Sequence, residues 1–546
     1  SITFQNTLNA TTVGATAEDL TLTAGTTGNI TFMGNVGATR LGDVTINSGN
    51  AVAFQDTGTQ QAASLTVTAS TSTTFTGNLN LTNGVSLVAG AGNVAFLDGL
   101  TAGAASSFAN TGALQLGDAA TDVTSLTGAL THTAGTTSLG GTITAPTGAT
   151  FAVATVNADT VLNTTNSAVA FNSTLDSDAL ETNDLTINTG TAATTISGVI
   201  GGTPNGELGT LTINNTSASG MALPSTNALA VNVTTNGPVT DFGNLAITGL
   251  LAINAGTNDV TLGDGGAETT NLGSISVIGG NVALTEDSAT VFTGTNTIAG
   301  TLNLTSAGSI TDTAGTTLNV AGDTTLNAAA NTITLGEDPA DTTNFGSLLT
   351  FTGGAVSLTE DSTMNVTGNA SVSLALNAVG VNLAGINAPS LTVNSTGAFS
   401  GTVGIADSAA SVVPGVSSFN ANGFDIVLDA PGNNFGTVTL NGGTITLTNV
   451  SLVNLAGVTA SGAFNLSSLG TLTISSPISS GSTVNLSSTG GSLVIDAAIS
   501  ASSGNLSLTA AQNVTASAPG TLATAGGTVT VQAGGAAQLA GITTGG

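Results

Sequence analysis

The dominant pattern along the chain is a strict alternation of apolar and polar residues in short runs. Period-two alternation predicts short β-strands with one buried and one exposed face. Thr suits the exposed positions because its branched Cβ favours extended backbone and its hydroxyl tolerates water. Helix-period patterns are absent, so the chain is predicted to be all-β. Examples of the runs are LTLT at 20–23, VTIN at 44–47, LTVT at 65–68, LTIN at 185–188, LTIN at 211–214 and LTIS at 472–475.

The spacing of the runs indicates how the strands are arranged. Phe32, Phe54, Phe75 and Phe96 follow one another at a nearly constant interval of about 21 residues. A unit of this length cannot bury its own apolar face, whereas stacking on copies of itself closes a continuous narrow core. The sequence therefore predicts an elongated parallel β-solenoid with coils of about 21 residues, and a right-handed β-helix is the expected form.

A longer duplication lies in the middle of the chain. NDVTLGDGGAETTNLGS at 258–274 matches NTITLGEDPADTTNFGS at 331–347, and the similarity continues to residues 287 and 361. The prediction is one continuous solenoid over residues 1–546 with an internal duplication, 258–287 and 331–361. The offset of 73 fits three coils of about 24 residues or four of about 18. Tandem β-sandwich modules are an alternative, but the Phe interval is too short for them and no Trp or Tyr is present for a sandwich core.

Composition narrows the classes of function. Apolar residues make up 40% of the chain but aromatic residues only 3%, which favours a thin core. Thirty acidic residues face a single basic one, Arg40, and the formal net charge is -29. Binding to nucleic acid or to anionic lipid through a basic patch is excluded, because no cations are available to neutralise phosphates. There is no cysteine and no run of 18 apolar residues, so we expect neither disulfides nor insertion into a membrane.

The same composition argues against catalysis. Binding a uronate or stabilising an oxyanion calls for Arg, Lys, His or a metal. Arg40 and His132, the only candidates, lie 92 positions apart. We therefore predict that the chain is not an enzyme, with no catalytic, cofactor-binding or metal-binding residues and no cofactor. His132 is expected to be a surface strand residue, and Arg40 is expected to form a surface ion pair with Asp43 or another nearby acid.

Acidic residues recur at equivalent places in the duplication. We interpret them as solvated loop charges that recur because the block was copied. A Ca²⁺ site is the alternative, since Ca²⁺ accepts several carboxylate and carbonyl oxygens, but no G-G-x-G-x-D array appears. The equivalent pairs are Asp264 and Glu268 with Glu337 and Asp341, and Glu286 and Asp287 with Glu360 and Asp361.

The C-terminal part resembles the repeat stretches of filamentous-haemagglutinin-like and autotransporter adhesins of bacteria, which read as G-x-L-x-I, a short gap and another apolar strand. This resemblance implies a large exported bacterial surface protein folded as a β-helix. No two-partner secretion domain and no β-barrel translocator is recognisable in the chain. The matching residues are Gly470, Leu472 and Ile474, then Ser492, Leu493 and Ile495, then Gly504, Leu506 and Leu508, then Gly527, Val529 and Val531.

Together these features favour a non-enzymatic, extracellular structural protein, a rigid rod that forms or belongs to a bacterial surface filament, sheath or adhesin stalk. The repeats run to both ends, from SITF to LAGITTGG, without a polar cap. We therefore expect self-association, end to end or lateral, with other cell-surface components as further partners. The alternative is an adhesin that binds a receptor or glycan through loops leaving the solenoid, such as Asp176 to Asp184 or Asp407 to Val416.

Overall fold

A computed structural model describes residues 1–179 and 181–545. The chain divides into two compact units, Ser1–Gly280 and Asn281–Gly546. Both units are built from short parallel strands wound into a β-solenoid, which confirms the predicted fold class. The alternative of tandem β-sandwiches is wrong, because a sandwich needs antiparallel sheets. That one continuous solenoid covers residues 1–546 stays a prediction.

The first unit consists almost entirely of strands. Two 3₁₀ turns, Gly14–Thr16 and Ala89–Ala91, are the only helical segments among residues 1–179 and 181–280. Its described strands, numbered β1 to β26 in chain order, are Ile2–Phe4, Leu20–Thr23, Ile30–Phe32, Leu41–Phe54, Gln60–Val67, Ser70–Phe75, Leu79–Leu81, Val85–Leu87, Asn93–Phe96, Gly99–Ala102, Ser107–Phe108, Leu114–Leu116, Val123–Leu126, Leu130–Thr144, Ala149–Asn163, Val169–Phe171, Leu175–Ser177, Leu185–Gly190, Thr194–Ile196, Leu208–Asn215, Met221–Leu223, Thr226–Thr234, Val239–Asp241, Leu245–Asn254, Val260–Leu262 and Thr270–Gly279.

The second unit has the same construction, and its described residues contain no helix. Its strands, β27 to β57, are Val282–Glu286, Thr290–Phe292, Thr295–Ile298, Leu302–Ser306, Ile310–Asp312, Thr317–Val320, Thr324–Asn327, Ile333–Leu335, Thr342–Phe345, Leu348–Thr359, Thr363–Ala378, Gly380–Asn387, Leu391–Ser395, Val403–Ala409, Val412–Asn420, Asp425–Leu428, Asn434–Gly442, Ile445–Asn449, Val453–Ala460, Phe464–Ser468, Leu472–Ile474, Ile478–Ser480, Val484–Ser488, Leu493–Ile495, Ile499–Ala501, Leu506–Ala510, Val514–Ala516, Thr521–Ala525, Val529–Ala533, Ala537–Gln538 and Gly541–Gly545.

The described strands pair in parallel with their equivalents in neighbouring coils, and the longer pairs contain local register shifts. Ile30 lies beside Val52, and Phe32 lies beside Phe54. One coil further on, Phe54 lies beside Phe75. These steps agree with the predicted coil of about 21 residues. The handedness of the winding stays a prediction.

The regularly spaced phenylalanines form a column in the first unit. The rings of Phe4, Phe32, Phe54, Phe75 and Phe96 are stacked, with centroids 4.2 to 5.3 Å apart between neighbours. Offset-stacked rings at this separation add favourable contact beyond the apolar area that they bury. The five rings occupy the same strand position in five successive coils and pack in the interior.

Asparagine forms a second kind of column on the outside of the strands. The side-chain amide of Asn188 donates to Oδ1 of Asn163 at 2.8 Å, and that of Asn214 donates to Oδ1 of Asn188 at 3.0 Å. The second unit repeats the device, because Asn394 donates to Asn377 at 2.8 Å. Asn188 thus donates to one neighbouring coil and accepts from the other, as in the side-chain ladders of stacked parallel strands.

The turns between strands, called corners below, depend on residues that tolerate positive φ. Asn205 has a φ of 61° in the TPNG corner, and Asn422 has a φ of 48°. Asn is one of the few residues other than Gly that enter this region at low cost. Asn therefore takes the place of Gly at these two corners.

The coil length in the second unit bears on the number of coils in the duplication. Ile310 pairs with Ile333, and Ile333 pairs with Val356. The two successive coils are therefore equal in length, and each is close to one third of the offset between the duplicated segments. The duplicated block thus corresponds to three coils rather than four.

Removing one ring from the phenylalanine column should destabilise the first unit. Phe75 is 1% exposed, whereas Phe242 is 51% exposed. We expect Phe75→Ala to lower the free energy of unfolding by about 3–5 kcal/mol, as in other large-to-small core changes. Phe242→Ala, the matched control, should lower it by less than about 1 kcal/mol. Denaturant unfolding followed by circular dichroism measures both, and equal losses would contradict the stacked core.

Candidate functional site

The duplicated acidic segments form corners with one additional carboxylate each. Asp264 and Glu268 lie in the corner that follows β25, and Asp241, at the end of β23 in the preceding coil, joins them. One carboxylate oxygen from each of the three lies within 4.8 Å of the other two. Asp241 was not predicted from the sequence. It ends the VTD strand one coil earlier, and aligning that strand with VTL at 260–262 would have placed Asp241 beside this corner.

Asp241 is held at this corner by the backbone of the next coil. Its side chain takes an inward position and is 8% exposed. The Gly263 N–H donates to both of its carboxylate oxygens at 3.1 Å, and Gly263 has a φ of 68°. Burial raises the pKa of Asp241 to about 6, and the charges of Glu268 and Asp264 act in the same direction. The group therefore gains a proton more easily than an ordinary aspartate.

The second copy of the duplication repeats this construction. The Gly336 N–H donates to Oδ2 of Asp312 at 2.9 Å. Burial raises the pKa of Asp312, and the charges of Asp341 and Glu337 act in the same direction. Asp341 Oδ2 accepts the Asp338 N–H of its own loop at 3.0 Å, and its Oδ1 accepts the Thr316 N–H of the preceding coil at 3.0 Å. Asp312 corresponds to Asp241 and was likewise missed from the sequence.

A third acidic corner lies outside the duplication. LGDAATD at 116–122 has the same form as LGDGGAE at 262–268 and LGEDPAD at 335–341. Oδ2 of Asp122 accepts the N–H groups of Asp118 and Ala119, both at 2.8 Å. Burial raises the pKa of Asp118, and Asp122 adds to that rise. The last acid of each motif thus accepts backbone N–H groups that precede it in the corner, since Glu268 accepts the Gly265 N–H and Asp341 accepts the Asp338 N–H, both at 3.0 Å.

These contacts define what the acidic corners do within the described residues. Each corner uses a carboxylate to accept backbone N–H groups that strand pairing leaves free. The same oxygens are of the type that hard cations prefer. The hydrogen bonds give the carboxylates a structural role, and the absence of metal ligands stays a prediction.

The second pair of duplicated acids differs from the expected solvated charges. Glu286 and Glu360 are 1% and 3% exposed, so that interpretation was wrong for them. Their neighbours Asp287 and Asp361 are exposed. In the LTEDS segments the glutamate has the same parity as the apolar residue two positions earlier, and it therefore points into the core.

Hydroxyl groups of neighbouring Ser and Thr residues donate hydrogen bonds to these buried glutamates. Glu286 accepts from Ser288 Oγ at 2.9 Å and from Thr290 Oγ1 at 2.7 Å. Oε1 of Glu360 accepts from Ser362 Oγ at 2.6 Å and from the Phe345 N–H at 3.1 Å. Oε2 of Glu360 has no hydrogen-bond partner among the described residues. Burial raises the pKa of Glu360 to about 7, against the opposing effect of its hydrogen bonds.

His132 is buried, which corrects its expected position on the surface. It lies on β14 two residues after Leu130, points inward with it and is 0% exposed. Nδ1 lies 2.8 Å from Thr137 Oγ1, and Nε2 lies 3.1 Å from the Asn110 carbonyl oxygen. Burial lowers the pKa of His132, so the neutral ring is favoured. Both ring nitrogens are used within the core, as is usual for a buried imidazole.

Arg40 forms no ion pair with any carboxylate among residues 1–179 and 181–545, so the predicted pairing with Asp43 was wrong. Its Nη1 donates to the Ala62 carbonyl oxygen at 2.9 Å and to the Asn80 carbonyl oxygen at 2.7 Å. Nη2 donates to Gln61 Oε1 at 3.1 Å. The planar guanidinium reaches several acceptors at once, and here it links two successive coils through their backbone.

The two segments expected to leave the solenoid behave differently. In the segment Asp176 to Asp184, Oδ1 of Asp176 accepts the Gly202 N–H at 2.8 Å, and Leu180 lies outside the described residues. Most of Asp407 to Val416 belongs to strands β40 and β41. That segment is therefore part of the coil rather than a loop, because the chain continues in extended conformation on both sides of residues 410 and 411.

Two general observations complete the description. No helix of the described residues is both long enough and apolar enough to cross a membrane. Arg40 and His132 are not brought into one site, since one binds backbone at a corner and the other is enclosed in the core. That the chain is not an enzyme stays a prediction.

Comparison with known proteins identifies a repeat but no function. Residues 208–276, 279–352 and 371–441 match a family model described as repeats of unknown function (DUF5649). Each matched stretch is close in length to the offset of the duplication, and together the stretches cover less than half of the chain. No curated protein and no solved structure matches the chain. The class of protein defined here is an all-β repeat protein built from parallel β-solenoid units.

The buried Glu360 should make the stability of the second unit depend on pH. A group with a raised pKa in the folded state stabilises the fold fully below its unfolded pKa, and that stabilisation is lost as pH rises through the folded pKa. For Glu360 the window runs from 4.5 to about 7. We expect the wild-type free energy of unfolding to fall by about 2–3 kcal/mol across it, and Glu360→Gln to flatten that slope.

Chemical denaturation at several pH values measures this slope. Glu181→Gln, which alters an exposed glutamate of the first unit, is the control and should leave it unchanged. If Glu360→Gln and wild type lose the same stability between pH 4.5 and 7, Glu360 does not carry a raised pKa.

Proposed function

We propose that this chain is a non-enzymatic, extracellular structural protein of a bacterial surface filament, sheath or adhesin stalk. The observation that carries the proposal is the parallel pairing of successive coils, which aligns like side chains in columns in each unit despite local register shifts. Such pairing resists bending, because deforming one coil strains the hydrogen bonds of both neighbours. A protein built from stacked coils that resist bending is suited to a mechanical role.

The resemblance of the C-terminal repeats to bacterial haemagglutinin-like and autotransporter adhesins supports the same proposal. It suggests export to the cell surface, and a chain without cysteine is compatible with that location. Few residues are charged, so the hydroxyl and amide groups of Thr, Ser and Asn solvate the surface. Arg40 is the single trypsin site, and its guanidinium is held by two backbone carbonyls. Durability in a protease-rich exterior is consistent with such a surface.

A second candidate function is adhesion to a glycan or receptor. Phe242 is 51% exposed and forms one wall of an open groove of about 450 Å³ in the first unit. Thr195, Ser197 and Ser219 also line it. An aromatic face beside hydroxyl groups is the usual chemistry for a neutral sugar, which would stack on the ring and exchange hydrogen bonds with the hydroxyls.

Negative-stain electron microscopy of the purified chain tests the structural role. We expect thin particles that join into filaments or bundles as the concentration rises, because coils of similar construction present similar strand edges and faces. Particles that stay single at every concentration would contradict self-assembly. Binding to a glycan array that Phe242→Ala abolishes, with the particles still single, would favour the adhesin instead.

A further inference from the structure

The charge of the chain is distributed very unevenly. Twenty-nine of the thirty acidic residues and the single arginine lie within residues 1–429, and Asp496 is the only charged side chain in residues 430–546. Like charges at close range oppose association of two copies of such a chain. The segment 430–546 is therefore the part of the chain where two copies can approach with almost no electrostatic penalty.

Within this neutral segment, apolar side chains are exposed at neighbouring corners. Val450, Leu452 and Leu469 are 40%, 66% and 57% exposed. Val450 follows β44 and Leu469 follows β46, at equivalent places in successive coils, since Ser468 pairs with Asn449. The Leu469 N–H donates to the Asn449 carbonyl oxygen at 2.9 Å, which holds the two corners together. We call these three residues the apolar ridge.

A flat polar face lies directly beside the apolar ridge. Strands β44, β46, β49 and β52 pair in register and point two columns of small polar side chains outward, with a shallow groove of about 200 Å³ between them. The groove has no charged lining. Its columns are Thr446, Asn465, Asn485 and Ser507, and Thr448, Ser467, Ser487 and Thr509.

We propose that the apolar ridge and this polar face form a lateral contact with a second copy of this chain. The inference rests on the proposed structural function and specifies which surface would carry lateral association. A second copy is the partner of choice because it presents the same columns at the same strand spacing, about 4.8 Å, so that donors and acceptors of the two faces stay matched over several coils. A two-fold arrangement places the same patch on both copies.

The size of the surface sets the expected strength. Four strand layers at about 4.8 Å, each about five residues wide, give roughly 300 Å² per copy, well below the ~800 Å² of a standard interface. Association of one pair is therefore weak, and repeated contacts within a bundle strengthen it. Burial of the leucines supplies the apolar part of the contact, and the polar columns supply hydrogen bonds.

Sedimentation velocity of the full chain tests the contact with two variants. Leu469→Asp adds a charge to the apolar ridge, and Leu469→Asn removes its apolar contact without adding charge. Leu229→Asp is the matched control, because Leu229 is 44% exposed in the first unit. Leu469 is exposed, so its variants should fold, which circular dichroism verifies.

We expect a dimer fraction that rises with concentration, with a dissociation constant on the order of 100 μM, and that increases with salt as the acidic residues are screened. Leu469→Asp should weaken the dimer at least about tenfold and Leu469→Asn less, whereas Leu229→Asp should leave it unchanged. A wild-type chain that stays monomeric at about 500 μM in high salt would overturn the inference.

Two other outcomes would also overturn it. One is a dimer that Leu469→Asp does not weaken. The other is a monomeric chain that binds a neutral oligosaccharide such as maltoheptaose, with Leu469→Asp abolishing that binding, because the face would then belong to a glycan. Bundles of laterally associated particles that persist in Leu469→Asp under the electron microscope would leave the proposed function intact and reject only this surface.

Discussion

Parallel pairing of each strand with its equivalent in the next coil is the constraint on which the rest of the structure depends. Because backbone hydrogen bonds fix the register, a residue at one position of a coil lies beside the residue at the same position of the next. Like side chains therefore collect in columns: stacked phenylalanine rings inside and asparagine ladders outside. The same constraint delivers the N–H of Gly263 to Asp241 and that of Gly336 to Asp312.

The near absence of basic residues changes how this fold uses its acids. No lysine exists to neutralise a buried carboxylate, and the one arginine is engaged with backbone. Buried acids such as Asp241 and Glu360 are instead held by backbone N–H and hydroxyl donors, and their pKa values rise. Protonation removes the free-energy cost of burying their negative charge, so these groups stabilise the fold in mildly acidic conditions. These buried acids therefore have hydrogen-bond donors as partners in place of basic side chains.

The sequence was sufficient for the features that depend only on periodicity. Alternation gave the strands, and the phenylalanine interval gave the coil and its stacking. The sequence was insufficient where the role of a residue depends on whether its side chain points into the core or towards solvent. His132 and Glu360 share parity with apolar neighbours and are buried, whereas residue type alone suggests exposure. Asp241 meets Asp264 and Glu268 only through the register between coils, and Arg40 finds carbonyl oxygens that composition does not reveal.

Disulfide trapping tests the in-register stack most directly, since the chain has no cysteine of its own. Thr186 pairs with Thr212 on the outer face of adjacent coils. Their Cα atoms should lie about 5 Å apart, within the range of a disulfide, whereas Thr186 and Asn214 are offset by two residues and lie farther apart. The account predicts rapid intramolecular oxidation of Thr186→Cys/Thr212→Cys and little of Thr186→Cys/Asn214→Cys. Equal oxidation of the two pairs would contradict it.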